Sequence, residues 1–394
     1  MTAMQRLFRR ATATGALLLP GSGCTDAVPE WCVAPDQADV RLADEPTAWA
    51  APPRLELAWR LDGSVPGHEL LAPVSAAIDG ATGRIALVDF RLREVIVIRP
   101  DGELHGRWGR AGAGPGELTA PFAAAWRPDG GLIVYDPARS KLVVFDSAGT
   151  TLDDVPVDAA FTAALGGGAR WLHLDGSGLL LAQPAPPFRG DAATRLHVVV
   201  RGGIAGQPVD TIAQREVPVV IVPGASPITA PGWSVPLAAI DGDSILAVAD
   251  SGPEYLVHVH RGGAPSHTIC RMVDPLPLED GESEPHESDI PDEITAAIAR
   301  AEPPATPARI GRLVIDAEHR LWIQRNRPRA LAALDGFIGR PGARFDVYDP
   351  DGAWLGEVHM PPNVRFLGAT RDLIIGLESD AFDVLSVIAL RPDW

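Results

Sequence analysis

Lysine is almost missing from this 394-residue chain: Lys141 stands alone, and arginine carries the rest of the positive charge. That is the pattern of GC-rich bacterial coding and has no functional meaning by itself. Positive charge as a whole is short. Against 34 Lys and Arg stand 51 Asp and Glu, a formal net charge of −17. This balance excludes a nucleic-acid partner, because phosphate binding needs a basic surface, and argues against loose adhesion to anionic lipid. Beyond the first residues no run of about 20 apolar residues occurs, so no other spanning helix is expected. With three cysteines the chain is not a disulfide-dense scaffold. It also has no G-x-S-x-G nucleophile elbow, no Cys–His pair and no P-loop.

The N-terminus reads as a targeting segment over residues 1–24. Arg6, Arg9 and Arg10 form a basic region, and Ala11 to Leu19 a short apolar one. Leu17-Leu-Leu-Pro-Gly-Ser-Gly-Cys24 resembles a bacterial lipobox ending in the cysteine to be acylated, with Gly21 where the pattern wants leucine. Lipidation at Cys24 and plain cleavage are the two readings; either implies export to the periplasm or cell surface. Cys32 and Cys270 remain, and in an oxidising compartment they either pair or stay as thiols. Residues 25–53, rich in Ala, Pro and Asp, read as a flexible linker.

What the chain has in plenty is glycine and proline, 40 and 38 residues, set between short apolar runs. The clearest unit is Gly106-Arg-Trp-Gly-Arg-Ala-Gly-Ala-Gly-Pro-Gly-Glu-Leu-Thr-Ala-Pro121. It runs into Trp126-Arg-Pro-Asp-Gly130, Leu132-Ile-Val-Tyr-Asp136 and Leu142-Val-Val-Phe-Asp146. This resembles an NHL-type propeller repeat, roughly G-x-G-x-G-P-G-x-F-x-x-P, then D-G-x-I-Y-V-x-D, then R-V-x-V-F-D. One such unit cannot bury its own faces, so others must exist. The strand–turn–strand pattern recurs at Ile85-Ala-Leu-Val-Asp89, Leu179-Leu-Leu-Ala182, Ile245-Leu-Ala-Val-Ala-Asp250, Leu321-Trp-Ile323 and Leu373-Ile-Ile375. Asp79, Asp129, Asp175, Asp241 and Asp316 hold one turn position, where aspartate bonds the turn backbone.

The expected fold is therefore all-β: a six-bladed β-propeller of four-stranded antiparallel blades over residues 54–394. Blades fall at about 76–117, 118–160, 165–213, 234–276, 309–360 and 363–394. The last lacks a fourth strand, and Arg54-Leu-Glu-Leu-Ala-Trp-Arg-Leu61 is expected to complete it and close the ring. A short helix is expected between blades 4 and 5, at Pro291 to Arg300.

In such a ring the turns after first and third strands share one face, and all of these are short. The other face holds every elaboration: Gln183 to Arg195, Gln214 to Val235, Asp274 to Ile310 and Arg325 to Arg344. Long loops on a rigid scaffold are where binding concentrates; shielding of the ring is the bland alternative. Arg91, Arg93, Arg139, Arg189, Arg325 and Arg327 fall in or beside these loops, with Lys141, Arg329, Arg340 and Arg344. They suit an anionic ligand, unless the acidic run Glu279 to Glu293 folds over and neutralises them.

Several propeller relatives are enzymes that hold a divalent cation in the axial channel. Here His173 can reach the axis, while His258 and His260 share a face of a strand too far out to line it. Trp126 and Trp322 either stack on a ligand or pack blade on blade. With no catalytic motif, the leading expectation is a non-catalytic module binding a protein or small molecule, without cofactor. A metal-dependent hydrolase or lyase with its cation in the axial channel is the alternative. The membrane is a partner only through the lipid anchor.

Overall fold

The computed structural model of the protein describes residues 29–32, 39–165, 169–175, 179–184, 194–203, 209–220, 228–229, 236–241, 245–249, 252–274, 276, 306–326 and 341–394. Two strands come first, β1 (Asp39–Leu42) and β2 (Leu55–Leu61). Sheet 1 is the meander β3 (Pro73–Ile78), β4 (Ile85–Asp89), β5 (Glu94–Ile98) and β6 (Leu104–Trp108). Sheet 2 is β7 (Ala123–Trp126), β8 (Leu132–Asp136), β9 (Lys141–Phe145) and β10 (Thr151–Pro156). Helix α1 (Ala159–Leu165) leads to sheet 3, made of β11 (Ala169–Leu174), β12 (Leu180–Pro184), β13 (Thr194–Gly202), β14 (Asp210–Val220) and the short β15 (Ile228–Thr229). Sheet 4 holds β16 (Leu237–Asp241), β17 (Ile245–Ala249), β18 (Leu256–Arg261) and β19 (Ala264–Cys270). Sheet 5 holds β20 (Ile310–Ile315), β21 (Leu321–Arg325), β22 (Arg344–Tyr348) and β23 (Trp354–His359). Sheet 6 holds β24 (Val364–Ala369), β25 (Ile374–Ser379) and β26 (Leu385–Pro392), with β2 antiparallel on the outer edge of β26.

Burial explains the strands. Second and third strands such as β4, β8 and β9 are buried along their whole length, as branched and aromatic chains packed on both faces of a sheet must be. Six apolar clusters make up the core, each between one sheet and the next, including sheets 6 and 1. The first strands neighbour one another in order, β3, β7, β11, β16 and β20, with β24 back against β3. Between β20 and β24, Arg312 Nη1 donates to the Phe366 carbonyl at 3.1 Å. Nearly all-β, with six antiparallel sheets of this kind and one helix among the described residues, this is a β-propeller architecture.

A repeated lock joins sheet to sheet at the turns between third and fourth strands. A methyl group built on Gly102 (φ +90°) would lie 2.6 Å from the Trp59 ring, on Gly149 (φ +85°) 2.5 Å from Trp108, and on Gly352 2.6 Å from His267. Each ring comes from the outer strand of the preceding sheet and rests on a turn that only glycine leaves open. Arginine adds a second tie: Arg84 Nη2 reaches from sheet 1 to the Gly130 carbonyl (2.9 Å) over the Trp126 ring, and Arg320 Nη2 reaches from sheet 5 to the Thr370 carbonyl (2.6 Å).

Three expectations change. Residues 25–53 are not a free linker where they are described. β1 runs parallel to β19, Asp39 opposite His267 through Leu42 opposite Cys270. Farther on, Thr47 and Trp49 donate backbone N–H groups to the carbonyls of Trp354 and Leu355 on β23. The physical reason is an otherwise open strand edge, which this segment covers. The segment Gln214 to Val235, expected as loop, begins as strand, because β14 continues to Val220 with Val217 and Val219 buried. The expected helix at Pro291 to Arg300 lies outside the described residues; the helix that is described, α1, stands between sheets 2 and 3 and buries Phe161.

Candidate functional site

The predicted arginines are scattered around the ring. Arg91 and Arg93 are exposed in the turn after β4, and Arg139, also exposed, donates to the Ala113 carbonyl at 3.3 Å. Arg189 and Arg327 lie outside the described residues, as does Cys24. Arg325 is different. Its side chain is only 9% exposed, and it faces the carboxylates of Asp346 (3.9 Å) and Glu357 (3.7 Å).

Arg325 belongs to a polar cluster between sheets 4 and 5, at the long-loop end. Asp346, in the middle of β22, is fully buried and takes an ion pair from Arg271 and a hydrogen bond from the Tyr255 hydroxyl at 2.8 Å. Tyr348 donates to the Tyr255 oxygen at 3.3 Å. Glu357 lies 3.6 Å from Arg271 Nη2, and its other oxygen is 3.2 Å from His359 Nε2. The Arg271 guanidinium also lies over the Trp354 ring, 3.4 Å from its centroid. Two cations thus share two carboxylates, which satisfies charges that could not be buried alone.

This cluster braces the roots of two long segments. Arg325 Nη2 donates to the Asp274 carbonyl (2.6 Å), where the chain leaves sheet 4. Asn326 donates its backbone N–H to the Arg309 carbonyl (2.8 Å) and its side-chain amide to that of Ala308 (3.0 Å), where the chain enters sheet 5. The departing and returning ends of 275–305, and the departing end of 327–340, are clasped at one point. Nη1 of Arg309, beside them, is enclosed without a hydrogen-bond partner among the described residues.

The electrostatics follow the burial. Desolvation pushes the Asp346 carboxyl up, against the pull of Arg271 and Arg325. Burial would lower Arg271, but Asp346 together with Tyr348 and Tyr255 more than restores it and the net shift is upward. Both tyrosines are raised, by burial first and then by Asp346. Glu357 is lowered, by its bond to His359 and then by the two arginines. Burial lowers Arg309. Such a network holds its geometry and its charge.

The axial wall offers different chemistry. His173 is brought down to about 4 by burial and by the nearby Arg312 cation, and Arg312 itself is lowered to about 10 by burial. His173 is thereby kept in the neutral form that can ligate a metal, but the Arg312 guanidinium beside it repels a cation. Among the described residues no three His, Cys, Asp or Glu side chains are grouped closely enough to hold one. His258 bonds Thr268 at 3.0 Å and belongs to no such group among the described residues. The glycine-rich turn is no phosphate cradle either: Gly114 and Gly116 N–H groups already donate to Glu117 (2.8 Å) and Asp154 (3.2 Å), and Lys141 pairs with Asp154 at 2.7 Å. Trp126 and Trp322 pack in the core, Trp322 stacked on Phe366 with centroids 4.6 Å apart.

Sequence reading named Arg325 but missed Arg271, Arg309, Tyr255, Asp346 and Glu357. A signal was present in Phe345-Asp-Val-Tyr348, where an aspartate interrupts a third strand that is apolar in sheets 1 and 2. A carboxylate placed there must be buried and must find a cation.

No protein-family model matches the chain, and no curated protein matches its sequence. Solved structures do. One is a DUF4221 family member from Bacteroides vulgatus, 10% identical, TM-score 0.50, over 86% of this chain and 98% of that one. Another is a gluconolactonase from Xanthomonas campestris, 16% identical, TM-score 0.40, over 86% and 95%. A third is a catalytically inactive virginiamycin B lyase from Staphylococcus aureus, 11% identical, TM-score 0.39, over 86% and 99%. At such identities a likeness speaks for the fold alone; the first, at TM-score 0.50, agrees with the β-propeller architecture that the sheets form.

Proposed function

We propose that this chain is a six-bladed, NHL-like propeller, closed by β2, exported and tethered through a lipid on Cys24. It serves as a non-catalytic recognition module that binds a protein or small molecule on its long-loop face. The observation that carries the reading is the clasp at Arg325, where three loop ends meet over a rigid, charge-paired base between sheets 4 and 5. A binding site on loops needs rigid elements at the loop roots to position it. Unlike the exposed Arg91, Arg93 and Arg139, Arg325 supports the site from beneath, its charge already met by Asp346 and Glu357. Export is supported by the Cys32–Cys270 disulfide, which belongs to an oxidising compartment. The metal-dependent alternative finds no ligand set among the described residues.

Hydrogen exchange of the purified protein, with and without envelope extract, tests this. Protection should concentrate in 271–309 and 325–344, and Arg325→Ala should abolish it while sheets 1 and 2 exchange as in the parent. Protection confined to the short-turn face or to the axial strands would overturn the reading.

A further inference from the structure

The segment before the ring is a strap, and it ends on the clasp. Cys32 and Cys270 are joined, with Cα atoms 5.9 Å apart and a separation of 238 positions in sequence. Cys270 is fully buried and is followed directly by Arg271. The register of β1 sets Leu42 beside Cys270, and Ala43 donates its N–H to the Cys270 carbonyl at 3.1 Å. The strap then crosses to sheet 5, where the N–H and hydroxyl of Thr47 both bond the Trp354 carbonyl, at 2.8 and 2.9 Å. Trp49 donates its indole N–H to the Glu357 carbonyl at 3.1 Å, lies against Gly356, and packs on Trp394 with centroids 4.6 Å apart. Trp354 and Glu357 share with Asp346 the holding of Arg271, and Glu357 also faces Arg325.

We propose that the Cys32–Cys270 disulfide is a redox-sensitive latch on the recognition rim, acting through the strap on the roots of 275–305 and 327–340. This rests on the reading of that rim given above. β2 anchors one end of the strap to the ring in either state, and the intact bond pins the other end as well, so a few backbone bonds between them suffice to keep it docked on β19 and β23. Reduction breaks the S–S bond. A dithiol supplies two electrons and two protons, two cysteine thiols form, and the reductant's own sulfurs join as a disulfide. The strap then stays docked only by its own bonds, and Trp354 and Glu357 lose the cover that fixes them beneath Arg271. The disulfide is thus a positioning device, since neither sulfur needs to touch a ligand.

The test is hydrogen exchange on the full chain, oxidised, reduced with dithiothreitol, and as Cys32→Ser. Exchange at 271–276, 306–309 and 325–326 should speed by about tenfold on reduction and in Cys32→Ser, with β4, β5, β8 and β9 unchanged. Trp49→Ala with the disulfide intact should give part of the same effect. Faster exchange confined to residues 29–50 would overturn the proposal, and so would an equal rise in all six sheets. No ligand enters this measurement, so its failure would leave the recognition reading standing, and a failed footprint would leave the latch standing.

Discussion

His173 and Asp346 are both ionisable groups inside a β-protein, and they meet the cost of burial in opposite ways. Asp346 keeps two arginines at hand; His173 sits near another cation, Arg312, and remains neutral instead. The consequence appears in acid. An unfolded histidine binds its proton near pH 6.5, whereas His173 in the folded chain waits until about pH 4. Above pH 6.5 neither state is protonated and His173 has no effect. As pH falls from 6.5 to about 4 the unfolded state alone gains a proton, so stability is lost across that window. Urea unfolding followed against pH should show a steeper acid loss in the parent than in His173→Gln, by a few kcal/mol at most. Superimposable profiles would remove His173 from the account. The sequence told that His173 lay on an innermost strand; it could not tell that the cation opposite comes from a strand about 140 residues later.

At the scale of the element, the informative unit is a turn glycine and the ring that rests on it. Gly149 holds a left-handed turn under Trp108, while Gly67, with a similar φ of +90°, has nothing within 4 Å of a built methyl. Gly149→Ala should therefore cost about 1–3 kcal/mol more than Gly67→Ala, since the backbone strain is common and only the first displaces a packed ring. Thermal unfolding of the two variants would measure the difference; equal costs would mean that Trp108 yields freely. These turns were legible as Pro100-Asp-Gly102, Ser147-Ala-Gly149 and Pro350-Asp-Gly352, because turn chemistry is local. The rings opposite them were not, since Trp59 and His267 reach them from other sheets. The candidate site divides in the same way. Arg325 was visible as a charge at a loop root, whereas its partners become neighbours only when sheets 4 and 5 pack. The strap was illegible because four residues, Asp39–Leu42, form a strand only when an edge is waiting for them.

For the whole molecule, β2 decides whether the sheets end in an open edge. It covers β26 from Leu55 to Leu61, and Leu61 is buried. A chain shortened to begin after Leu61 should expose that edge, lose cooperative melting and aggregate, as light scattering during a thermal ramp would report. A shortened chain that stays monomeric and melts sharply would show that β2 is dispensable. The same lacing has a consequence in time. Among the described residues from Cys32 to Leu61, the disulfide and the strand-to-strand backbone bonds are made with β19, β23 and β26, and Arg54 meets Asp393 across 339 positions. A chain that emerges N-terminus first must therefore carry this segment unpaired until nearly all the rest has been made. Loop closures this long are slow and leave strand edges exposed meanwhile. This early segment is the last to settle, and a holding factor at the site of folding would have its longest task with it.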